Sequence, residues 1–432
     1  MHLVDERTGV IRRLVPQPVP GRLPAAFELI AAELSDTTRF SVWPSDSGGA
    51  GYALGDPDAA AGAAVGEAVE RYCGNLVPPG LRHGAFDELD AAVDPESVAL
   101  FSAEQYASEG FPFRPMTRDL PMEWADGVDL RTGRATLVPA SLVWVSYVAA
   151  AVEAGLPPTN PIIQAGLAAG RGRAAAGRSA LLELLERDTI ALAWHGRAGL
   201  REVAPPPWLA AWGRGGHGTW RTRFVEFTGG FGVPVAGALV HDVETGYLAM
   251  GTACRPDGAD ALRKALAEAC QLQLFVAGYD DPDGPYMRAA ADPRSPLAPW
   301  RAGRDYAAAY RDDLRDVVDY GCHLQLYLDP AFQRRFLTEL DDAVTGEVSW
   351  RDLPAGPPDL AGLVERVADV AGAPVVSVDV TTPDVVPSGL SVVRVLVPGL
   401  YSNSAAGLPF LGGVRQRDVL AGRPRRDLPL PH

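Results

Sequence analysis

The spacing of apolar residues predicts helices and strands that interleave along most of the chain. A helix is predicted over 57–74, because Asp56 suits the N-cap, Pro57 suits the first helical position, and apolar residues recur at helical spacing up to Gly74. The same spacing predicts helices over 179–195 and 260–278.

Strands are predicted where apolar and β-branched residues alternate. One hairpin turns at 132–133 and a second at 244–246. Three later runs are also predicted as strands: HLQLYLD at 323–329, PVVSVDV at 374–380 and SVVRVLV at 391–397. Since helices and strands alternate throughout, the predicted fold class is mixed α/β.

Proline- and glycine-rich segments predict loops at 48–51, 166–177 and 205–218. No repeat of solenoid period is found. The expected organisation is an N-terminal entry segment over 1–50, a main domain over 51–415, and a proline-containing tail over 416–432.

Composition narrows the function classes. The chain has 432 residues, of which 47% are hydrophobic, as in an ordinary globular protein, and its net charge of −15 argues against a nucleic-acid partner. The four cysteines form neither a zinc pattern nor a disulfide framework, and no signal peptide or bilayer-spanning run is found, so a cytoplasmic protein without a membrane partner is expected.

Three predicted helices share one acidic pattern, Glu-x-x-Glu or Glu-x-x-Gln, within apolar surroundings. The pairs are Glu67 with Glu70, Glu183 with Glu186, and Glu268 with Gln271. One turn earlier on the same faces lie Ser179 and Lys264, the only lysine of the chain. Carboxylates on buried helices need a positive partner, and hard oxygen ligands suit Mg²⁺. Each pair alone is also typical of a solvated helix face, so the pattern leaves both interpretations open.

Together, however, these segments resemble a known family, the YcaO cyclodehydratases. The segment AAVGEAVERY resembles the first family motif, GLAAGRGRAAAGRSALLELLERD the second and ALRKALAEACQ the third, while VVRVLVPGL and LPFLGGVR resemble C-terminal landmarks. The motifs follow the family order over residues 56–415. The resemblance implies mixed sheets with helices that enclose a site for ATP and Mg²⁺.

The resemblance also implies roles for individual residues. The expected metal-binding carboxylates are Glu67, Glu70, Glu183, Glu186 and Glu268. The expected nucleotide-binding residues are Arg71, Gly170, Arg171, Ser179, Arg187, Lys264 and Gln271. In azoline-forming relatives a proline-rich tail reaches the active site, so Pro429, Pro431 and His432 are the expected catalytic tail residues.

The sequence departs from the family pattern at several of these positions. Ala63 replaces a serine, Arg171 stands in place of an asparagine, Ala175 in place of an acidic residue, and Lys264 in place of an arginine. The final DLPLPH resembles the beginning of the family tail without its last three residues. Either this shortened tail works, or the reaction differs from azoline formation.

The implied reaction is ATP-dependent cyclodehydration. A Cys, Ser or Thr side chain of a ribosomal precursor peptide attacks the preceding carbonyl, the amide oxygen is phosphorylated, and phosphate leaves to give a thiazoline or oxazoline. The implied partners are the precursor peptide and a separate protein that binds its leader, and a homodimer stays open. Two alternatives remain: thioamide or amidine formation at the same site, and a catalytically weakened subunit that binds peptide.

Overall fold

A computed structural model describes residues 3–37 and 48–432. In this part of the chain the strands are β1 (Ile11–Pro16), β2 (Phe27–Leu34), β3 (Gly48–Leu54), β4 (Arg82–Gly84), β5 (Met122–Asp129), β6 (Ala135–Pro139), β7 (Leu167–Arg171), β8 (Leu200–Ala204), β9 (Trp220–Phe227), β10 (Val235–Asp242), β11 (Tyr247–Cys254), β12 (Val344–Ser349), β13 (Val376–Asp379) and β14 (Leu390–Leu396).

Helices occupy the intervals between these strands. The helices are α1 (Pro57–Asn75), α2 (Ala103–Tyr106), α3 (Tyr147–Glu153), α4 (Arg173–Ile190), α5 (Pro207–Trp212), α6 (Gly258–Tyr279), α7 (Pro285–Ala289), α8 (Tyr320–Leu326), α9 (Pro330–Ala343), α10 (Leu360–Ala371) and α11 (Arg415–Leu420). A π-helical turn, Ala191–His195, extends α4.

The strands form three sheets. The first has the order β1-β2-β3, the second β4-β5-β13-β14-β7 with β6 also paired to β5, and the third β11-β10-β9-β8-β12. Neighbouring strands are antiparallel, except that β12 runs parallel to β8. The fold is therefore mixed α/β, as predicted.

Three helices pack between these sheets. Helix α1 contacts strands of the first and second sheets, α4 those of the second and third, and α6 those of the third and first. The three helices consequently occupy the centre of the molecule, and each presents an acidic motif.

Each central helix follows a strand and packs closely against it at a glycine. A Cβ atom at Gly51 would overlap the backbone of α1, one at Gly170 the backbone of α4, and one at Gly251 the backbone of α6. The absence of a side chain lets strand and helix backbones touch. This close approach sets the depth of each helix relative to its sheet.

Most predicted elements are confirmed. Asp56 caps α1, accepting a hydrogen bond of 2.9 Å from the Ala59 backbone, and the hairpins β5–β6 and β10–β11 turn where expected. The predicted strands at 374–380 and 391–397 are β13 and β14. The helix predicted over 179–195 begins earlier, at Arg173, because the glycine-rich segment before it forms β7 and the first turn of α4.

Two other expectations are wrong, and a third holds only in part. The run 323–329 contains no strand: residues 323–326 lie in α8, which Asp319 caps by accepting a 2.7 Å hydrogen bond from Gly321, and 327–328 form a turn before Asp329, which caps α9. The segment 48–51, predicted as a loop, belongs to β3, where Gly51 lies against α1. The loop predicted over 205–218 contains the short helix α5.

Candidate active site

Helix α1 contributes Glu67, Glu70 and Arg71. The Glu67 carboxylate accepts a hydrogen bond of 3.1 Å from the Ala50 backbone of β3 and one of 2.6 Å from Arg71. Glu70 lies one turn further along and is within electrostatic reach of Glu183 on α4. The acidic face of α1 is therefore directed towards the other central helices.

Helix α4 contributes Glu183, Glu186 and Arg187. Glu183 accepts a hydrogen bond of 3.0 Å from the Gly166 backbone, and Arg187 lies 3.9 Å from Glu183 and 3.4 Å from Glu186. Glu186 is buried, with 6% of its surface exposed. A carboxylate at this depth needs several donors, and its partners come from β11 as well as from Arg187.

One threonine of β11 joins the motifs of α4 and α6. The Thr252 hydroxyl donates a hydrogen bond of 2.6 Å to Glu186, and its backbone amide donates one of 2.9 Å to Glu268. The Cys254 amide donates a second hydrogen bond, of 2.9 Å, to Glu186. The carboxylates of α4 and α6 thus meet over a single residue.

Lys264 lies on the same face of α6 as Glu268. Its ammonium group is 3.7 Å from the centre of the Tyr52 ring on β3, a cation–π contact between the third helix and the first sheet. Burial lowers the pKa of Lys264 to about 8, although the charge of Glu268 raises it. The charges of Glu268 and Glu67 both act on Tyr52, whose pKa burial raises well above its ordinary value. All three acidic motifs therefore share one site.

The pKa values show that this site has an excess of negative charge. Burial raises the pKa of Glu70 well above its ordinary value, and the charges of Glu183 and Glu67 raise it further. Burial also raises the pKa of Glu183. For Glu186 burial acts in the same direction, but Arg187 and Thr252 outweigh it and lower its pKa. A bound cation would relieve the repulsion.

Four further side chains belong to the site and were not predicted. They are Tyr52, Thr252, Arg255 and Arg394. Buried Arg394 donates to the backbone carbonyls of residues 143 and 163–165, and the charges of Glu183 and Glu70 act on it. An arginine in the apolar run VVRVLV was a usable signal, because a buried charge requires partners.

Four predicted nucleotide-binding positions lie apart from this network. Arg171 and Ser179 are exposed, and neither they nor Gln271 donate or accept a side-chain hydrogen bond within the part of the chain described. Gly170 packs against the first turn of α4, a structural role that is evident without a ligand. Contact of these four with a nucleotide stays a prediction.

The C-terminal tail docks into the molecule through backbone hydrogen bonds. Trp194 donates one of 2.7 Å to the Leu428 carbonyl, Tyr327 donates one to the Pro429 carbonyl, and the Met250 amide donates one of 2.6 Å to the Pro431 carbonyl. Residues 428–431 are buried. The tail therefore packs beside the third sheet, next to β11.

The docked tail places His432 beside Arg187. The Arg187 guanidinium lies 3.0 Å from Nε2 of His432, while Nδ1 of His432 lies 3.3 Å from the Met250 carbonyl. Because arginine only donates, Nε2 accepts and the imidazole proton is on Nδ1. Burial lowers the pKa of His432, which agrees with this neutral form. The predicted tail residue thus reaches the motif of α4.

The residues present fit Mg²⁺ as a partial set of ligands. Within residues 3–37 and 48–432, no three His, Cys, Asp or Glu side chains are spaced to enclose a metal ion by themselves. Mg²⁺ usually keeps several waters and binds through one or two carboxylates together with substrate phosphates. Carboxylates that raise one another's pKa values supply the negative charge that such an ion needs.

A comparison with protein families now identifies the chain. The model described as YcaO cyclodehydratase, ATP- and Mg²⁺-binding, matches residues 50–401. The chain belongs to the YcaO family. It is accordingly an ATP-dependent enzyme, and ATP and Mg²⁺ are its cofactors.

Solved YcaO structures share this fold. A heterocyclase in complex with substrate and cofactor is 20% identical with a TM-score of 0.62, and the match covers 93% of this chain and 51% of that one. YcaO from Methanopyrus kandleri, bound with AMPPCP and Mg²⁺, is 22% identical with a TM-score of 0.60, covering 91% and 87%. The E. coli microcin synthetase McbBCD complex with pro-MccB17 bound is 14% identical, with a TM-score of 0.58 and coverage of 93% and 91%.

The matches extend over only part of one relative and do not include a curated sequence. This YcaO chain spans about half the length of the heterocyclase chain it matches, and no curated protein matches it in sequence. In the described part of the chain, no helix is both long and apolar enough to cross a bilayer.

Proposed function

We propose that this YcaO enzyme cyclises Cys, Ser or Thr residues of a ribosomal precursor peptide to azolines, using ATP to phosphorylate the backbone amide oxygen. The observation that carries the proposal is the meeting of the α4 and α6 carboxylates on Thr252, with Arg187 and Lys264 beside them. Positive side chains among carboxylates that are buried, as Glu186 is, or partly buried suit a site that binds the phosphates of a metal nucleotide.

Each group has a proposed task. Glu67, Glu70, Glu183, Glu186 and Glu268 are the proposed holders of Mg²⁺, which neutralises phosphate charge when bound. Arg71, Arg187 and Lys264 contact the phosphates, and Gly170, Arg171, Ser179 and Gln271 line the nucleotide. Arg187 also orients the tail, because it donates to His432. Stabilising charge on a transferring phosphoryl group is the main catalytic device available to such a site.

The docked tail supports azoline chemistry over the alternatives. Pro429 and Pro431 fix the backbone that places His432 against Arg187, so the shortened tail keeps a contact with the α4 motif. The proposed partners are the precursor peptide and a separate leader-binding protein. A relative of this fold, the microcin synthetase, was solved as a complex with its pro-peptide bound.

The test uses the precursor peptide encoded beside the gene, with any adjacent partner protein, ATP and Mg²⁺. Mass spectrometry should show the loss of one water per ring, coupled to ADP release. The Glu183→Gln, Glu186→Gln double variant should lose at least about a hundredfold in turnover, because it removes ligands that act on the transferring group. Glu153→Gln, at an exposed position at the end of α3, is the matched control and should keep full activity.

Three results would contradict the proposal. Full turnover by the double variant would show that Glu183 and Glu186 have no role in catalysis. An oxygen-to-sulfur mass change in place of water loss would assign the thioamide alternative, and binding of peptide without any ATP turnover would assign the weakened-subunit alternative.

A further inference from the structure

An aromatic ring, and not a carboxylate, contacts the ammonium group of Lys264. Its nitrogen lies 3.7 Å from the centre of the Tyr52 ring on β3. Within residues 3–37 and 48–432 this group makes neither a hydrogen bond nor an ion pair, and Lys264 is only partly buried. Among the described residues, the cation–π contact with Tyr52 is therefore what fixes the position of this charge.

Carboxylates lie near Lys264 but have other donors. The charges of Glu268, Glu186 and Glu67 act on the ammonium group. Glu268 and Glu186 accept hydrogen bonds from Thr252, and Glu67 accepts one from the backbone of β3. Lys264 and Glu268 are one turn apart on the same face of α6, but lysine before glutamate is the weaker order for such a pair. The N–H donors of Lys264 are consequently left free by these carboxylates.

The position of Tyr52 follows from the backbone of β3. Side chains alternate between the two faces of a strand, and Gly51 faces α1 so closely that a Cβ atom would overlap it. Tyr52 therefore faces away from α1 and towards α6, which also contacts β3. Its ring packs near Phe27 of the neighbouring strand β2, with the ring centres 6.5 Å apart. A sheet thus supports the ring, while a helix supplies the ammonium group.

A ring stabilises a cation differently from a carboxylate. The face of an aromatic ring attracts positive charge without offering an acceptor oxygen. An ion pair with a carboxylate would instead occupy N–H donors and neutralise the charge that a phosphate needs. The burial of Tyr52 and the charges of Glu268 and Glu67 raise its pKa well above the ordinary value, so the ring stays an uncharged phenol. Lys264 therefore keeps both its charge and its donors for an anion.

We propose that Tyr52 is a positioning residue, whose ring holds the ammonium group of Lys264 in place for the phosphates of the nucleotide. The inference rests on the proposed phosphate contact of Lys264. A lysine carries its charge on a flexible four-carbon stem, so without the ring the ammonium group would be free to move onto Glu268. Tyr52 contributes to nucleotide binding through Lys264 and has no contact of its own with the phosphates.

Calorimetric titration with AMPPCP and Mg²⁺ measures the contribution of the ring. Tyr52→Leu should weaken binding about tenfold, because a cation–π contact away from water stabilises a charge by about that factor. Tyr52→Phe keeps the ring and loses the hydroxyl, and it should bind within about threefold of the wild type. An unchanged affinity in Tyr52→Leu would overturn the assignment of Tyr52.

A matched control separates the cation–π contact from packing. Phe27→Leu removes the aromatic neighbour of Tyr52 and leaves the contact with Lys264 in place. Thermal unfolding should show that both Phe27→Leu and Tyr52→Leu are folded. Phe27→Leu should bind AMPPCP with Mg²⁺ within about twofold of the wild type. A loss in Phe27→Leu equal to that in Tyr52→Leu would mean that packing, and not the cation–π contact, is responsible.

A thermodynamic cycle tests whether Tyr52 acts through Lys264. In Lys264→Gln the ring has no ammonium group to hold, so adding Tyr52→Leu should weaken nucleotide binding by less than about twofold. A merely structural role would add its full cost in this background as well. A further loss of about tenfold in the double variant would therefore contradict the inference.

A spectroscopic test needs neither nucleotide nor turnover. Because Lys264 is the only lysine, protein made with isotopically labelled lysine gives a single set of side-chain signals in NMR spectra. The Cε protons should be shifted upfield by the ring in the wild type and Tyr52→Phe, but not in Tyr52→Leu. Equal positions in the wild type and Tyr52→Leu would overturn the inference. If these signals and the nucleotide affinity change as expected while no peptide is modified, the proposed function fails and the assignment of Tyr52 stands.

Discussion

At the scale of single residues, the polar groups of the site are held in defined protonation states by burial. His323 is the clearest example. Its Nε2 atom accepts a hydrogen bond of 3.0 Å from the Ala406 backbone, its exposed fraction is 4%, and burial lowers its pKa to about 3. A histidine kept neutral in the fold becomes charged in the unfolded chain at its ordinary pKa of about 6.5.

This difference predicts acid sensitivity. Below pH 6.5 the unfolded state binds a proton that the folded state refuses, so stability decreases as the pH falls from 6.5 towards 3. Between pH 7.5 and 5.0 the loss from His323 should be about 2 kcal/mol. His323→Gln, which can still accept from Ala406, should lose about that much less between pH 7.5 and 5.0 in urea unfolding. His83→Gln, at an exposed position, is the control and should follow the wild type.

Lys264 gives a second prediction at this scale. With its pKa lowered to about 8, it is charged at pH 7 and mostly neutral at pH 9. Calorimetric titration of ATP with Mg²⁺ should therefore show affinity falling by up to about tenfold over this range, since a charge-assisted hydrogen bond is worth about 1.5–3 kcal/mol. Lys264→Arg should remove this pH dependence, and Lys264→Gln should bind weakly throughout. Equal pH dependence in the wild type and Lys264→Arg would contradict a phosphate contact.

At the scale of elements, the tail behaves as a packed segment. Leu428 is fully buried, and its carbonyl accepts from Trp194. Leu428→Ala should lower the free energy of unfolding by about 2–5 kcal/mol, as for other buried leucines. Asp427→Ala, one residue earlier at an exposed position, should change it by less than about 0.5 kcal/mol. Similar stability of the two variants in denaturant unfolding would mean that the tail is not docked in solution.

The spacing of apolar residues correctly predicted the helices that build the site. It failed in a short segment whose pattern fits both the helical period and the alternation of a strand. Helices α1, α4 and α6 were predicted, because each carries apolar residues at helical spacing over several turns. The run 323–329 alternates like a strand, but residues 323–326 lie in α8 and 327–329 form the turn into α9, because caps at Asp319 and Asp329 and the surrounding packing decide its conformation. A seven-residue pattern cannot resolve that competition.

The site, like the fold, was predictable in its main parts but not in every residue. The three acidic motifs stand out in the sequence, and the structure brings them together. Thr252 gave no signal, because its importance comes from a strand that places its hydroxyl and amide against different helices. The predicted metal and nucleotide roles of individual residues, and the boundaries at 50 and 415, stay predictions.

At the scale of the whole molecule, three sheets share three helices, so ligand binding at their centre should stabilise all of them together. AMPPCP with Mg²⁺ at a hundred times its Kd should add about 2.7 kcal/mol, because it binds the folded state alone. Calorimetric scanning should show one transition that moves to higher temperature. The Glu183→Gln, Glu186→Gln variant should lose most of this shift, while EDTA should abolish it in the wild type.

The glycines where strands touch the central helices have a consequence for how such an enzyme can diversify. At Gly51, Gly170 and Gly251 there is no room for even a methyl group, so bulkier residues there would push a helix outward and pull its acids away from the others. Substitutions that preserve phosphate binding are therefore expected mainly in the loops and in the C-terminal tail. A change of substrate would then come from substitutions in these segments, while the three central helices keep their positions.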